Sequence, residues 1–156
     1  MTRAGATTGE DARGGTARPR FHLAFPVKDI AKTRAFYEGV LGCAVGRTDT
    51  RWIDFDFHGH QISAHLVDDG DAATWDATNA VDGDDVPVRH FGLILDFASF
   101  DALAERLASS GVSFRIPPRV RFAGTVGEQK TMFVVDPSGN AIEFKAFARE
   151  TSIFAT

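Results

Sequence analysis

At 156 residues, with 44% hydrophobic side chains, a net charge of -4 at pH 7 and one cysteine, the sequence is sized for a single domain with a real core. Basic residues are scattered, and no segment reaches the roughly 18 consecutive apolar residues of a membrane span, which argues against nucleic acid and membranes and for a small molecule as the partner. The lone Cys43 has no intrachain disulfide partner, so a reducing cytoplasm is the expected compartment.

Residues 1–19 are built from Thr, Gly, Ala, Arg and a few acids, lack the apolar run of a signal peptide, and read as a disordered tail. The domain is expected over residues 20–150. Phe21 to Val27 (FHLAFPV) reads as a strand, and Asp29 stands where a helix N-cap satisfies the first free amides. Ile30, Ala35, Phe36, Val40 and Leu41 keep approximately helical spacing, and Gly42 ends the pattern as a C-cap glycine does. Trp52 to Phe57 alternates with period two, His58-Gly59 supplies a turn, and Gln61 to Val67 returns, which predicts a hairpin.

Asp68 to Pro87 is acidic and rich in Asp, Ala and Gly, with Trp75 its only large apolar residue, and is expected to be a linker or mobile loop between two halves. His90 to Phe97 then reads as a strand, Phe100 to Ala108 as a helix, and Gly111 as its end. Met132 to Val135, the turn Asp136-Pro137-Ser138-Gly139-Asn140, and Ala141 to Phe147 make a second strand-turn-strand unit, with Val112 to Phe114 as a strand ahead of it. From His22 to Gly42 is 20 residues and from His90 to Gly111 is 21, each running from strand through helix to glycine, so the second half repeats the topology of the first. The fold class is therefore α+β: paired βαβββ modules, about 20–68 and 88–148, forming an open, barrel-like mixed sheet with a cleft between them.

His22 opens the first strand of one module, His90 opens the first strand of the other, and Glu143 lies in the last strand of the second. Two imidazoles and a carboxylate suit Fe, Mn, Ni or Zn better than Ca or Mg. Taken singly, each residue reads as structural or solvated; their matching places in paired modules favour one shared metal site.

The segment FHLAFPVKDIAKTRAFYEGVLGC, followed far downstream by DPSGNAIEF, resembles the vicinal oxygen chelate superfamily, which includes glyoxalase I, extradiol dioxygenases, fosfomycin-resistance proteins and bleomycin-binding proteins. The resemblance spans roughly Phe21 to Phe147 and implies paired modules around a divalent metal held by His22, His90 and Glu143. It also implies a homodimer. A fourth ligand position of glyoxalase-like members falls on Ser63, since Gly139 plus four is Glu143 and Gly59 plus four is Ser63. Serine is a poor neutral ligand, so the pattern resembles the two-His, one-carboxylate face of extradiol dioxygenases, with Fe(II) favoured over Zn, Mn or Ni.

His65, two residues beyond Ser63 on the same strand face, reads as a cavity acid/base, a fourth ligand after a register shift, or a wall residue. Lys145 shares the face of Glu143 and is expected either to hold an anionic substrate or to pair with Glu143. Arg119, Arg121, Gln129 and Lys130 fall in the irregular segment before the last hairpin, which could bind an acidic or hydroxylated ligand or remain a solvated loop. His58 and His60 flank a turn and read as structural. Three functions compete: an extradiol-type oxygenase, a glyoxalase-like lyase, isomerase or thiol transferase using its metal as a Lewis acid, and a drug- or metabolite-binding resistance protein without chemistry.

Overall fold

The computed structural model describes residues 19–68, 77–81 and 83–154. All but the end of the expected tail, and the middle of the acidic segment with Trp75, lie outside the described residues.

Strand β1 (His22–Val27) leads to α1 (Ile30–Arg34), where Asp29 accepts a hydrogen bond from the Lys32 amide as the N-cap. The helix continues as π-helical turns over Ala35–Val40 and ends before Gly42, whose φ of 78° a residue with a Cβ would adopt only with strain. Three antiparallel strands follow: β2 (Ala44–Thr48), β3 (Trp52–Phe57) and β4 (His60–Leu66). The β3–β4 turn places both His58 and Gly59 at positive φ, as a tight two-residue hairpin requires. Strand β4 then pairs in parallel with β1, giving the sheet order β1-β4-β3-β2.

The second module repeats this plan. Strand β7 (His90–Leu95), α2 (Phe97–Ser109), β8 (Phe114–Arg121), β9 (Gln129–Val135) and β10 (Ala141–Phe147) form a sheet of order β7-β10-β9-β8, again with one parallel pair. A short 3-10 turn, Glu150–Phe154, closes the described chain.

Two expectations are corrected. The segment read as a linker contains a hairpin, β5 (Thr78–Val81) and β6 (Asp84–Pro87). Its strands are four residues each, β5 exposed throughout and β6 opening with two aspartates, too short to show alternation. The segment read as irregular holds strand β8, with Arg119 and Arg121, and the start of β9, with Gln129 and Lys130; Pro117 and Pro118 fall within the second of two register shifts of β8 against β9. Proline is tolerated there because β8 is a sheet edge, and the bulges re-aim the residues that follow.

Alternate residues of both sheets meet in one core with the helices. Phe25, Tyr37, Phe55, Phe57 and Ile62 from the first module join Leu107, Met132, Ile142 and Phe144 from the second. Phe91 lies 5.2 Å from Phe25 and 6.2 Å from Phe57, ring centre to centre, across the module boundary. The β9–β10 turn clamps this boundary. Tyr37 Oη donates to Asp136 Oδ2 (3.1 Å), the Lys28 amide to Ser138 Oγ (2.9 Å), and Asn140 Nδ2 to the Pro26 carbonyl (3.0 Å). Burial and the nearby Asp136 push the Tyr37 phenol well above its ordinary range, so it stays a neutral donor.

Candidate functional site

Parallel pairing fixes what faces what. His22 lies opposite Gln61 and Ala24 opposite Ser63, while His90 lies opposite Ala141 and Gly92 opposite Glu143. Ser63 and Glu143 therefore occupy equivalent places in the two modules, as counting from the turn glycines predicts.

In the second module a polar group assembles around Glu143, which is 6% exposed. Thr131 Oγ1 donates to Oε1 at 2.7 Å, while His90 Nε2 at 3.1 Å and Lys145 Nζ at 3.3 Å converge on Oε2. The His90 ring packs edge-on against Phe133, and its Nδ1 donates to the Pro87 carbonyl at 2.7 Å. Hydrogen bonding to Glu143 raises the His90 pKa against the opposing effect of burial, aided by the Pro87 carbonyl. For Glu143, burial acts to raise the pKa, but hydrogen bonds from His90 and Thr131 and the Lys145 charge outweigh it, and the carboxyl is held below its usual range.

Beside this group lies a row of cross-strand partners: Arg119 on β8, Thr131 on β9 and Lys145 on β10. The next row carries Arg121, Gln129 and Phe147. Arg121 is buried, its guanidinium 5.1 Å from the Phe122 ring centre, and so is not the solvated loop residue that a reading of the sequence allows. Lys130 turns to the other face, where it pairs with Asp101 and lies over Phe97. The β5–β6 hairpin reaches this surface through an ion pair between Asp84 and Arg119.

The first module presents a different constellation. His22 is exposed, and its Nδ1 donates to Gln61 Oε1 at 2.9 Å. Gln61 Nε2 donates in turn to Asp54 Oδ2 at 3.3 Å, and the buried Asp54 also accepts from Ser63 Oγ at 2.5 Å and from Arg47 at 3.2 Å. Asp54 was not singled out from the sequence. Its signal was available in the pairing of an in-strand Asp with a Ser on the returning strand.

The three expected metal ligands are not gathered in one chain: His90 and Glu143 meet, but among the described residues no group of three or more His, Cys, Asp or Glu side chains could hold a metal ion. His65 is exposed toward the far end of β4, opposite Trp52. His60 Nδ1 accepts from the Phe21 amide, in keeping with a structural role. Between the two modules, an open cleft of about 750 Å³ is lined by Leu23, Ala24 and Phe25 of β1, by His90 and Phe91 of β7, and by Asn140.

These residues fit a divalent ion in part. Both histidines have Nδ1 held by a carbonyl acceptor, which leaves Nε2 as the ligating atom, the usual second-contact arrangement of metal-bound imidazole. With Nδ1 carrying a proton, His90 Nε2 can face the Glu143 carboxylate only through a second proton or a cation between them.

Similarity to known proteins follows the same fold. One solved structure, of a glyoxalase/bleomycin resistance protein/dioxygenase from Alicyclobacillus acidocaldarius, is 32% identical and covers 88% of this chain and 97% of its own, with a TM-score of 0.73. The fosfomycin resistance protein FosX from Listeria monocytogenes is 20% identical, covering 88% of this chain and 100% of its own at a TM-score of 0.64, a likeness of fold alone. An integron cassette protein from V. cholerae is 25% identical, covering 86% and 98% at a TM-score of 0.58. No curated protein matches the sequence. The sequence matches the family model over residues 21–144, and the chain belongs to the Glyoxalase/Bleomycin resistance protein/Dioxygenase superfamily.

Proposed function

We propose that the protein is a divalent-metal-dependent enzyme acting on a small substrate that chelates the ion through adjacent oxygens, and that it works as an extradiol-dioxygenase-like oxygenase with Fe(II). The observation that carries this reading is the convergence of His90 Nε2 and Glu143 Oε2, with Nδ1 of His90 and Oε1 of Glu143 each fixed by another partner. His90 and Glu143 would hold the ion, and the third ligand, His22, would come from a second copy of the chain. Supporting this, His22 is exposed on β1, an edge strand, and stands at the register position that His90 occupies on β7, also an edge strand.

A bound Fe(II) would supply oxygen activation at positions the protein leaves open, and Zn, Mn or Ni in the same ligands would supply Lewis acidity instead. The residues of the chain do the rest. Thr131 holds Oε1 of Glu143 and turns Oε2 outward. Lys145, with its Nζ 3.3 Å from that oxygen, would be free to pair with an ionised substrate oxygen if His90 and Glu143 held a cation. Arg121 lies on the same face, one residue row away.

Metal content measured after anaerobic, chelator-free purification tests the site, together with oxygen uptake on a panel of catechols. Iron near one per chain with uptake supports the oxygenase; zinc, nickel or manganese without uptake replaces it with a Lewis-acid enzyme; no metal under any loading sinks the site. Mixing His22→Ala and His90→Ala chains tests the shared ligand set, since random pairing restores about one quarter of the wild-type sites if His22 acts across the dimer and none if it acts within its own chain.

A further inference from the structure

We infer that Arg119 is a carboxylate-recognising subsite on the sheet face that carries Glu143, and that Asp84 of the β5–β6 hairpin occupies it as an internal stand-in that the substrate's own carboxylate displaces. This deepens the proposed function, on which it rests for the identity of the substrate-binding face.

Several independent observations meet here. Arg119 is set on the Glu143 face by the proline-containing bulge of β8, directly across β9 Thr131 and in the same row as Lys145. A guanidinium recognises a carboxylate best through two parallel N–H bonds. Asp84 engages Nη2, whereas Nε of Arg119 is buried without a hydrogen-bond partner. One donor of the fork is used and its neighbour is left dry, which is the signature of an occupant that fits incompletely.

A second group points the same way. Gln129, 9% exposed and diagonal to Arg119 on the neighbouring strand, has its Oε1 buried with no hydrogen-bond partner. A lone acceptor beside a half-used cationic fork matches a ligand with a carboxylate and a hydroxyl or N–H donor close to it. Asp84 supplies the first and lacks the second. The hairpin that carries it is joined to this face by the Arg119 ion pair, and its β5 residues are exposed, so its Asp84 end can yield to a better ligand while buried Pro87 at the other end of β6 stays in place.

The test uses the full chain stripped of metal in EDTA, so that its failure is separable from failure of the metal reading. Acetate and benzoate are titrated calorimetrically, with acetamide and benzamide as uncharged counterparts. Asp84→Asn is expected to bind both carboxylates at least tenfold more tightly than the wild type and to leave the amides unchanged. Arg119→Gln is expected to abolish the preference for carboxylate over amide, alone and combined with D84N. Unchanged carboxylate affinity in D84N, or a preference that survives R119Q, overturns the assignment. Thermal melts of each variant distinguish lost recognition from lost folding: an R119Q chain that melts as the wild type does and still prefers carboxylates refutes the subsite directly.

Discussion

Gly92→Ala should separate β7 from the rest of its sheet. Gly92 lies opposite Glu143, and a Cβ built on it would stand 1.6 Å from the Glu143 carbonyl oxygen and 2.6 Å from its carbonyl carbon, both backbone atoms that no rotamer change can move. Restoring ordinary contact needs a retreat of well over an ångström, more than a main-chain hydrogen bond tolerates. Strand β7 is an edge strand held by β10 alone, so the two or three ladder bonds around the contact are lost together. At about 1 kcal/mol each, that amounts to about 3 kcal/mol, a large fraction of a typical domain's stability. The midpoint of thermal unfolding should fall by roughly 6–12 °C, and the urea midpoint in proportion. Gly39→Ala is the control, since a Cβ there meets nothing within 4 Å. It should be neutral or slightly stabilising. Because His90 is two residues from Gly92 on the displaced strand, the variant should also lose the metal binding proposed for His90 and Glu143. A G92A protein with wild-type midpoints would refute both the close approach and the register derived from it.

Two further predictions concern titration. In metal-free protein, the raised His90 pKa gives stability that is complete below the ordinary imidazole value of 6.5 and fades as pH rises through the folded value, while the lowered Glu143 pKa gives stability that is complete above 4.5 and fades as pH falls through its folded value. The destabilisation caused by Glu143→Gln, followed by urea midpoints across pH, should therefore be greatest between pH 4.5 and 6.5; a difference independent of pH would contradict the ion pair. Cys43 is 5% exposed, and burial first, then the neighbouring Asp56, push its thiol up to about 12 despite Arg106 nearby. Native protein at pH 8 should react with a disulfide reagent only at the rate of unfolding, and rapid stoichiometric modification would show the thiol to be accessible.

The alternating and helical runs that bury one face were legible in the sequence: FHLAFPV, WIDFDF and AIEFKAF form strands in which alternate side chains, such as Leu23, Phe25 and Val27 or Ile53, Phe55 and Phe57, meet the core. The equivalence of Ser63 and Glu143 was also legible, because period two and a fixed turn glycine leave no freedom once both hairpins form. Strands β2 and β5 were not, since their residues are mostly exposed, and neither was β6, whose four residues are too few to leave a periodic trace. Strand β8 was hidden by Pro117-Pro118, which ordinarily signals a break. Within the site, the meeting of His90, Glu143 and Lys145 follows from one sheet's register, whereas the place of His22 depends on how separate sheets pack, which short-range pattern does not encode.

The turn from Asp136 to Asn140 makes the two halves of the chain non-interchangeable. Its first-module counterpart is the two-residue His58-Gly59 turn, which is too short to offer a carboxylate, a hydroxyl and an amide to a neighbouring strand. Whatever symmetry the repeat began with, one copy now carries the fastener and the other its eyelets in Pro26, Lys28 and Tyr37. A chain assembled from two first halves would have eyelets and no fastener, and one assembled from two second halves the reverse. Only the mixed order, in one chain or by exchange between two, closes the boundary on which the cleft depends.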